Sequence, residues 1–286
     1  MDIRTAHGVA PDVFPNLFAS PLLTFNSLVL KDPGSRRVAA DLRYGDHPRQ
    51  RLDLYAPRRS PAGALLPMIL FLYGGSWNSG VKEGYAFVGR ALAAQGFLAA
   101  VADYRLVPEV RFPAFVEDGA AAFGWLAGHG AEHGGDPSAI LVAGHSAGAY
   151  IAAMIALDPQ WLGANRSAIR GLIGISGPYR FQARSGPTIS AAFGSHRPFT
   201  DTQPLSFAAA GAPPAMLLHG GRDRAVSPAN SRELARRLAS AGVEAEAKVY
   251  PELGHVAALT AIAIPFRTHA PVLADAVAFA RKARAS

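Results

Sequence analysis

The 286 residues carry 28 Lys and Arg against 21 Asp and Glu, a formal charge of +7, with 50% hydrophobic and 17% charged residues and no cysteine. A chain of this size and apolar content buries a large core, and without thiols it excludes disulfides, a thiol nucleophile and thiolate metal sites while saying nothing about redox compartment. The basic residues fall in short groups such as Arg36-Arg37, Arg58-Arg59 and Arg236-Arg237 with no interleaved aromatics, the pattern of a solvated surface and not of a nucleic-acid interface.

Residues 1 to 37 are expected to form a packed N-terminal arm. Val13 to Phe18 and Leu22 to Phe25 are apolar and turn-rich but lack the basic start and uninterrupted apolar core of a signal peptide. Cytoplasmic residence is the default expectation, with export left open. No later apolar run is long enough to cross a bilayer.

From Arg37 onward, strand patterns alternate with helical ones, which predicts an α/β fold: a mostly parallel eight-stranded sheet with helices on both faces, in a single domain spanning residues 1 to 286. The strands are expected at Val38 to Tyr44, Gln50 to Ala56, Pro67 to Tyr73, Phe97 to Asp103, Ala139 to His145, Gly171 to Ser176, Ala215 to His219 and Ala245 to Tyr250. The first two flank Gly45-Asp46-His47-Pro48 and are expected to pair as a hairpin. Helices are expected at Gly84 to Gln95, Ala114 to Gly128, Ala147 to Leu157, Pro228 to Ala241 and Ala270 to Arg284, with Gly96 and Gly242 as stops. Residues 177 to 214 break the alternation. Their Gly, Pro and Ser content, with Tyr179, Phe181, Phe193, Phe199 and Phe207, suggests a small lid with an apolar face.

The chemistry is concentrated where strands end. Gly144-His145-Ser146-Ala147-Gly148 lies between a strand and an alanine-rich helix, the context of a nucleophile elbow, in which a strained turn presents the serine hydroxyl. The plainer alternative is a helix N-terminus capped by Ser146. Serine needs a base, and the base needs a carboxylate to hold its ring. Asp223 and His255 each follow a predicted strand, and the order Ser146, Asp223, His255 suits such a relay. Tyr73-Gly74-Gly75-Ser76-Trp77 follows another strand. Gly75 and Ser76, with Ala147, are candidate oxyanion donors. Among the competitors, His219 reads as a hydrogen-bonded core histidine and His145 as a support of the elbow. Glu252 is too close in sequence to His255 to pair with it readily. His129 and His133 have a helical metal spacing, but Gly128, Gly130, Gly134 and Gly135 suggest a surface loop, and no carboxylate completes a ligand set.

With these motifs, Leu52-Asp53-Leu54-Tyr55-Ala56-Pro57, Asp103-Tyr104-Arg105-Leu106-Val107-Pro108-Glu109 and Gly134-Gly135-Asp136-Pro137, the chain resembles bacterial carboxylesterases of the α/β-hydrolase fold, across most of residues 38 to 284. It resembles those grouped with hormone-sensitive lipase, feruloyl-esterase-like enzymes and kynurenine formamidase. The resemblance implies a Ser146, Asp223, His255 triad and an Asp103-Tyr104-Arg105 segment that helps hold the oxyanion loop. Tyr73 stands where the family usually has histidine, and His145 and Ser76 look more like the feruloyl-esterase and formamidase branch. The expected activity is hydrolysis of small to medium carboxylic esters through an acyl-enzyme, without cofactor or metal. An aryl-formamidase is the enzymatic alternative, and a non-catalytic ligand-binding protein of the same fold the remote one. Self-association is left open.

Overall fold

The computed structural model describes residues 21–60, 63–182, 186–194, 196 and 198–284. The strands are β1 (Ser35–Arg43), β2 (Arg51–Pro57), β3 (Leu66–Leu72), β4 (Leu98–Ala102), β5 (Gly135–His145), β6 (Ile169–Ile175), β7 (Ala215–Gly220) and β8 (Ala245–Tyr250). They form one sheet in the order β1-β2-β4-β3-β5-β6-β7-β8. β1 and β2 are the predicted hairpin, closed by Tyr44 N–H donating to the Gln50 carbonyl at 3.1 Å. β2 also runs antiparallel to β4, and every other neighbour is parallel.

The apolar runs make the central strands what they are. Residues 98–102 of β4 and 67–72 of β3 are buried without alternation, which requires cover on both faces of the sheet. Helices α2 (Ala86–Ala94) and α8 (Val272–Arg284) touch each other and the sheet, and α3 (Ala114–His129) packs against α4 (Ala147–Leu157). α4 is buried along its whole length, so its small alanines let it lie close to β5 and β6. α6 (Ala229–Ser240) instead buries Ser231, Leu234, Ala235 and Leu238, a stripe at helical spacing laid on β7 and β8.

Some local expectations change. The predicted helix from Gly84 is a 3-10 turn, Lys82–Tyr85, followed by α2. The arm contributes a helix, α1 (Pro21–Leu28), whose Phe25 ring meets Phe87 and Phe266 at 5.2 and 5.7 Å. Val13 to Phe18 lie outside the described residues. His129 and His133 are not in a plain surface loop: α3 continues through His129, stacked 4.9 Å from Trp125, and a 3-10 turn carries His133. The irregular segment after β6 holds a short helix, α5 (Pro187–Phe193), and two 3-10 turns. A further short helix, α7 (His255–Thr260), follows β8. Both escape sequence periodicity because they extend for only two turns at most.

Candidate active site

Parallel strands deliver their C-terminal ends to one edge of the sheet, and the loops leaving β3, β5, β7 and β8 meet there. Ser146 occupies the turn between β5 and α4 with φ 53° and ψ −120°, a region costly for a side-chain-bearing residue and retained where the surroundings over-determine it. Its N–H donates to the Ile175 carbonyl of β6 at 2.9 Å. The flanking glycine is dictated by packing: a Cβ on Gly148 would sit 2.1 Å from the Leu72 carbonyl oxygen. The serine is therefore held at the strand end by backbone it cannot leave.

His255 begins α7, and its two ring nitrogens face different partners. Nδ1 lies 2.7 Å from Asp223 Oδ2, and Nε2 lies 2.9 Å from Ser146 Oγ. A carboxylate accepts only, so Nδ1 carries the proton and leaves Nε2 free to take the serine's. Asp223 is buried. Its Oδ1 accepts the Ala225 and Val226 N–H groups at 2.9 and 2.8 Å. Burial alone would push its carboxyl up, but the Val226 N–H and His255 outweigh this and hold it below the usual range. The structure thus brings Ser146, Asp223 and His255 into one hydrogen-bonded line.

The competitors are placed elsewhere. His219 is fully buried, with Nδ1 2.7 Å from Ser231 Oγ and Nε2 3.0 Å from the Val226 carbonyl. It also approaches Asp223 Oδ2 at 3.2 Å, a second support for the acid that sequence reading missed. Glu252 pairs with Arg222 at the surface. His129 Nδ1 lies 3.0 Å from the Trp125 carbonyl. Among the described residues, no group of three or more His, Asp and Glu is placed to hold a metal ion.

His145 ties the elbow to the His255 loop. Its Nε2 is 3.1 Å from the His255 carbonyl, and the two rings lie 4.8 Å apart. Because a carbonyl accepts, the proton sits on Nε2. Burial, then the neighbouring His255, push the His145 ring down to about 3. A folded value below the unfolded ~6.5 means that in the intervening window the unfolded chain binds a proton the folded chain refuses, so stability falls with acid by about 1.4 kcal/mol per pH unit. Urea unfolding at about pH 6.5 and pH 5 is expected to show His145→Gln losing about 2 kcal/mol less than the parent over that step.

The Gly-Gly-Ser-Trp loop leaves β3 with φ of 145° at Gly75, 51° at Ser76 and 59° at Trp77. The reversed backbone lets the N–H groups of Gly75 and Ser76 escape the sheet. Together with the Ala147 N–H they have no acceptor among the described residues, the condition for donors reserved for a ligand. The loop's supports are tyrosines. Tyr104 donates to the Tyr73 carbonyl at 2.9 Å and Tyr85 to the Gly74 carbonyl at 2.8 Å. Of the Asp103-Tyr104-Arg105 segment, Arg105 does not reach the loop, since Asp118 takes its guanidinium at 2.8 Å. The hydroxyl of Tyr73, which stands where the family usually has histidine, donates to Asp103 Oδ1 at 2.7 Å and accepts from Arg49 Nη2 at 2.6 Å, one step behind the loop. Tyr73→Phe is therefore expected to cost about 1 to 3 kcal/mol of stability. It should lower kcat less than Tyr104→Phe, with KM little moved, because misplaced oxyanion donors matter mainly in the transition state. Steady-state kinetics of both variants checks the ranking.

Ser146 and His255 open into a cavity of about 600 Å³. Trp77 lies on one wall and Phe181 and Ile189 of the irregular segment on another. Phe193, fully buried, joins these walls, with its ring 4.9 Å from Trp77 and 5.0 Å from Phe181. Asn230 Oδ1 accepts the N–H groups of Tyr179 and Arg180 at 3.0 and 2.9 Å, fixing the segment's entry. No sequence signal marked Asn230 for this role.

Comparison with known proteins agrees with this architecture. Residues 52–170 match the BD-FAE family and residues 188–282 the prolyl oligopeptidase family. Esterase LipC of Mycobacterium tuberculosis is 31% identical over 217 residues, covering 68% of this chain and 53% of LipC. Probable isoprenylcysteine alpha-carbonyl methylesterase ICMEL2 of Arabidopsis thaliana is 31% identical over 246 residues, covering 77% of this chain and 58% of that protein. The chain thus spans about half the length of the curated relatives it matches. The structure of an inhibited esterase B from Lactobacillus rhamnosis superimposes with a TM-score of 0.78 at 20% identity, covering 92% of this chain and 91% of that one. Among the described residues no helix is long and apolar enough to cross a membrane. With the shared sheet, the two matched family models and esterase-named relatives across most of its length, this chain belongs to the α/β-hydrolase fold.

Proposed function

We propose that this chain hydrolyses small to medium carboxylic esters through a serine acyl-enzyme. The observation that carries the reading is the hydrogen-bonded line from Asp223 through His255 to Ser146 Oγ, ending in a cavity beside uncommitted N–H groups. Ser146 Oγ attacks the ester carbonyl carbon as its proton passes to His255 Nε2, while Asp223 stabilises the imidazolium. The oxyanion is held by the N–H groups of Gly75, Ser76 and Ala147. The tetrahedral intermediate collapses with cleavage of the C–O bond, and His255 returns the proton to the leaving alcohol. Water then enters by the same route and releases the acid. In this second step His255 Nε2 takes the water's proton and returns it to Ser146 Oγ as the acyl C–O bond breaks, so every proton of the cycle passes through His255.

The described residues between 177 and 214 act as the lid of a single domain in this reading, and the packing of Phe181 and Phe193 against Trp77 supports it. The cavity's size favours short and medium acyl chains over long ones. The test is labelling by a fluorophosphonate probe, followed by 4-nitrophenyl esters of increasing acyl length beside formylkynurenine. Labelling with a short-chain optimum is expected. Faster turnover of formylkynurenine would move the assignment to an aryl-formamidase, and absence of labelling and turnover would indicate a ligand-binding protein.

A further inference from the structure

The residues around the reaction cavity differ sharply in charge. Beside the aromatic and aliphatic wall stands Arg180. Among the described residues it is, apart from His255, the one ionisable residue lining the cavity, and none of them there is a carboxylate. Its backbone is pinned by Asn230, and its guanidinium has no ion-pair or hydrogen-bond partner among the described residues. Arg180, Phe181 and Gln182 also line an adjoining cavity of about 690 Å³. That second space adds Arg237 and Glu233, and Glu233 is already compensated by Arg236 at 3.2 Å. The balance along the two spaces is therefore cationic, centred on their shared wall.

We propose that Arg180 selects esters that carry a free carboxylate, held at the junction of the two cavities while the scissile carbonyl lies at Ser146. The inference rests on the esterase reading and specifies its substrate class. A guanidinium presents paired donors that match a carboxylate in two parallel hydrogen bonds. With no protein partner among the described residues, the guanidinium exchanges only hydrogen bonds to water to do so. Because Arg180 is solvent-exposed, screening keeps the preference modest, on the order of tenfold, and sensitive to salt.

Two substrate pairs test the proposal and locate the charge: mono-4-nitrophenyl adipate against 4-nitrophenyl hexanoate for the acyl side, and 3-butyryloxybenzoate against 3-butyryloxybenzamide for the alcohol side. In at least one pair, Arg180→Gln is expected to lower kcat/KM for the charged ester about tenfold more than for its neutral counterpart, chiefly through KM. Arg180→Lys should restore part of the difference, and raising salt from about 50 to about 500 mM should narrow it in the parent. Equal factors for charged and neutral members of both pairs, with Ser146→Ala inactive on all four esters, would overturn the selectivity and leave the esterase reading standing. Turnover that survives Ser146→Ala would overturn both.

Discussion

Ser146→Ala is expected to lower kcat for 4-nitrophenyl butyrate by about a millionfold, the scale of nucleophile removal in serine hydrolases. The hydroxyl lies 2.9 Å from His255 Nε2, and its backbone is locked by the Ile175 carbonyl, so the substitution removes the attacking oxygen while leaving the strand end in place. His255→Ala should be about as damaging, because an unactivated serine attacks poorly. The double variant should be little worse than either, since the two side chains act as one unit. Stopped-flow or long-time-course kinetics on the three proteins checks this. Losses that multiply would mean that serine and histidine act independently. The base must also be unprotonated to accept the serine's proton, so parent activity should fall on acidification and be indifferent to chelators.

Asp223→Asn is expected to cost on the order of ten-thousandfold in kcat. The asparagine can keep the Ala225 and Val226 N–H bonds through its carbonyl oxygen, which preserves the loop. Its amide group, however, presents a donor to His255 Nδ1, where the carboxylate Oδ2 accepts at 2.7 Å. That favours the tautomer with the proton on Nε2, facing Ser146, where it blocks proton uptake. His219 lies 3.2 Å from the same Oδ2 and cannot substitute, because its ring is committed to Ser231 and Val226. Glu252→Gln is the matched comparison: Glu252 pairs with Arg222 at the surface, and its loss should change kcat less than twofold, within the small effect of an exposed ion pair. A larger loss in Glu252→Gln than in Asp223→Asn would reassign the acid.

The eight strands were legible because a buried strand must be apolar along its own length, and Leu66–Leu72 or Leu98–Ala102 carry that requirement locally. The positions of Ser146, Asp223 and His255 were legible for a related reason: parallel topology obliges functional loops to follow strands, so the elbow pattern around Ser146 and an acid and a histidine placed just after strands nominated them. Short elements such as α5 and α7 were not, since one or two helical turns leave too few residues to establish a period.

Sequence by itself thus determined the α/β architecture and the candidate relay, because both depend on patterns within a strand or on the turn that leaves it. Only the tertiary structure decided what stands around them. Tyr85 and Tyr104 reach the Tyr73 and Gly74 carbonyls from outside the loop they support, and His219 meets Asp223 across a turn. Arg180 borders the cavity because Asn230, 50 residues further along, holds its N–H. These contacts are set by the sheet order, which places β4 beside β3 and β7 beside β6. A side chain's hydrogen-bond partners follow from that lateral placement, and hydrophobic periodicity records how deeply a segment is buried without recording which segment lies next to it.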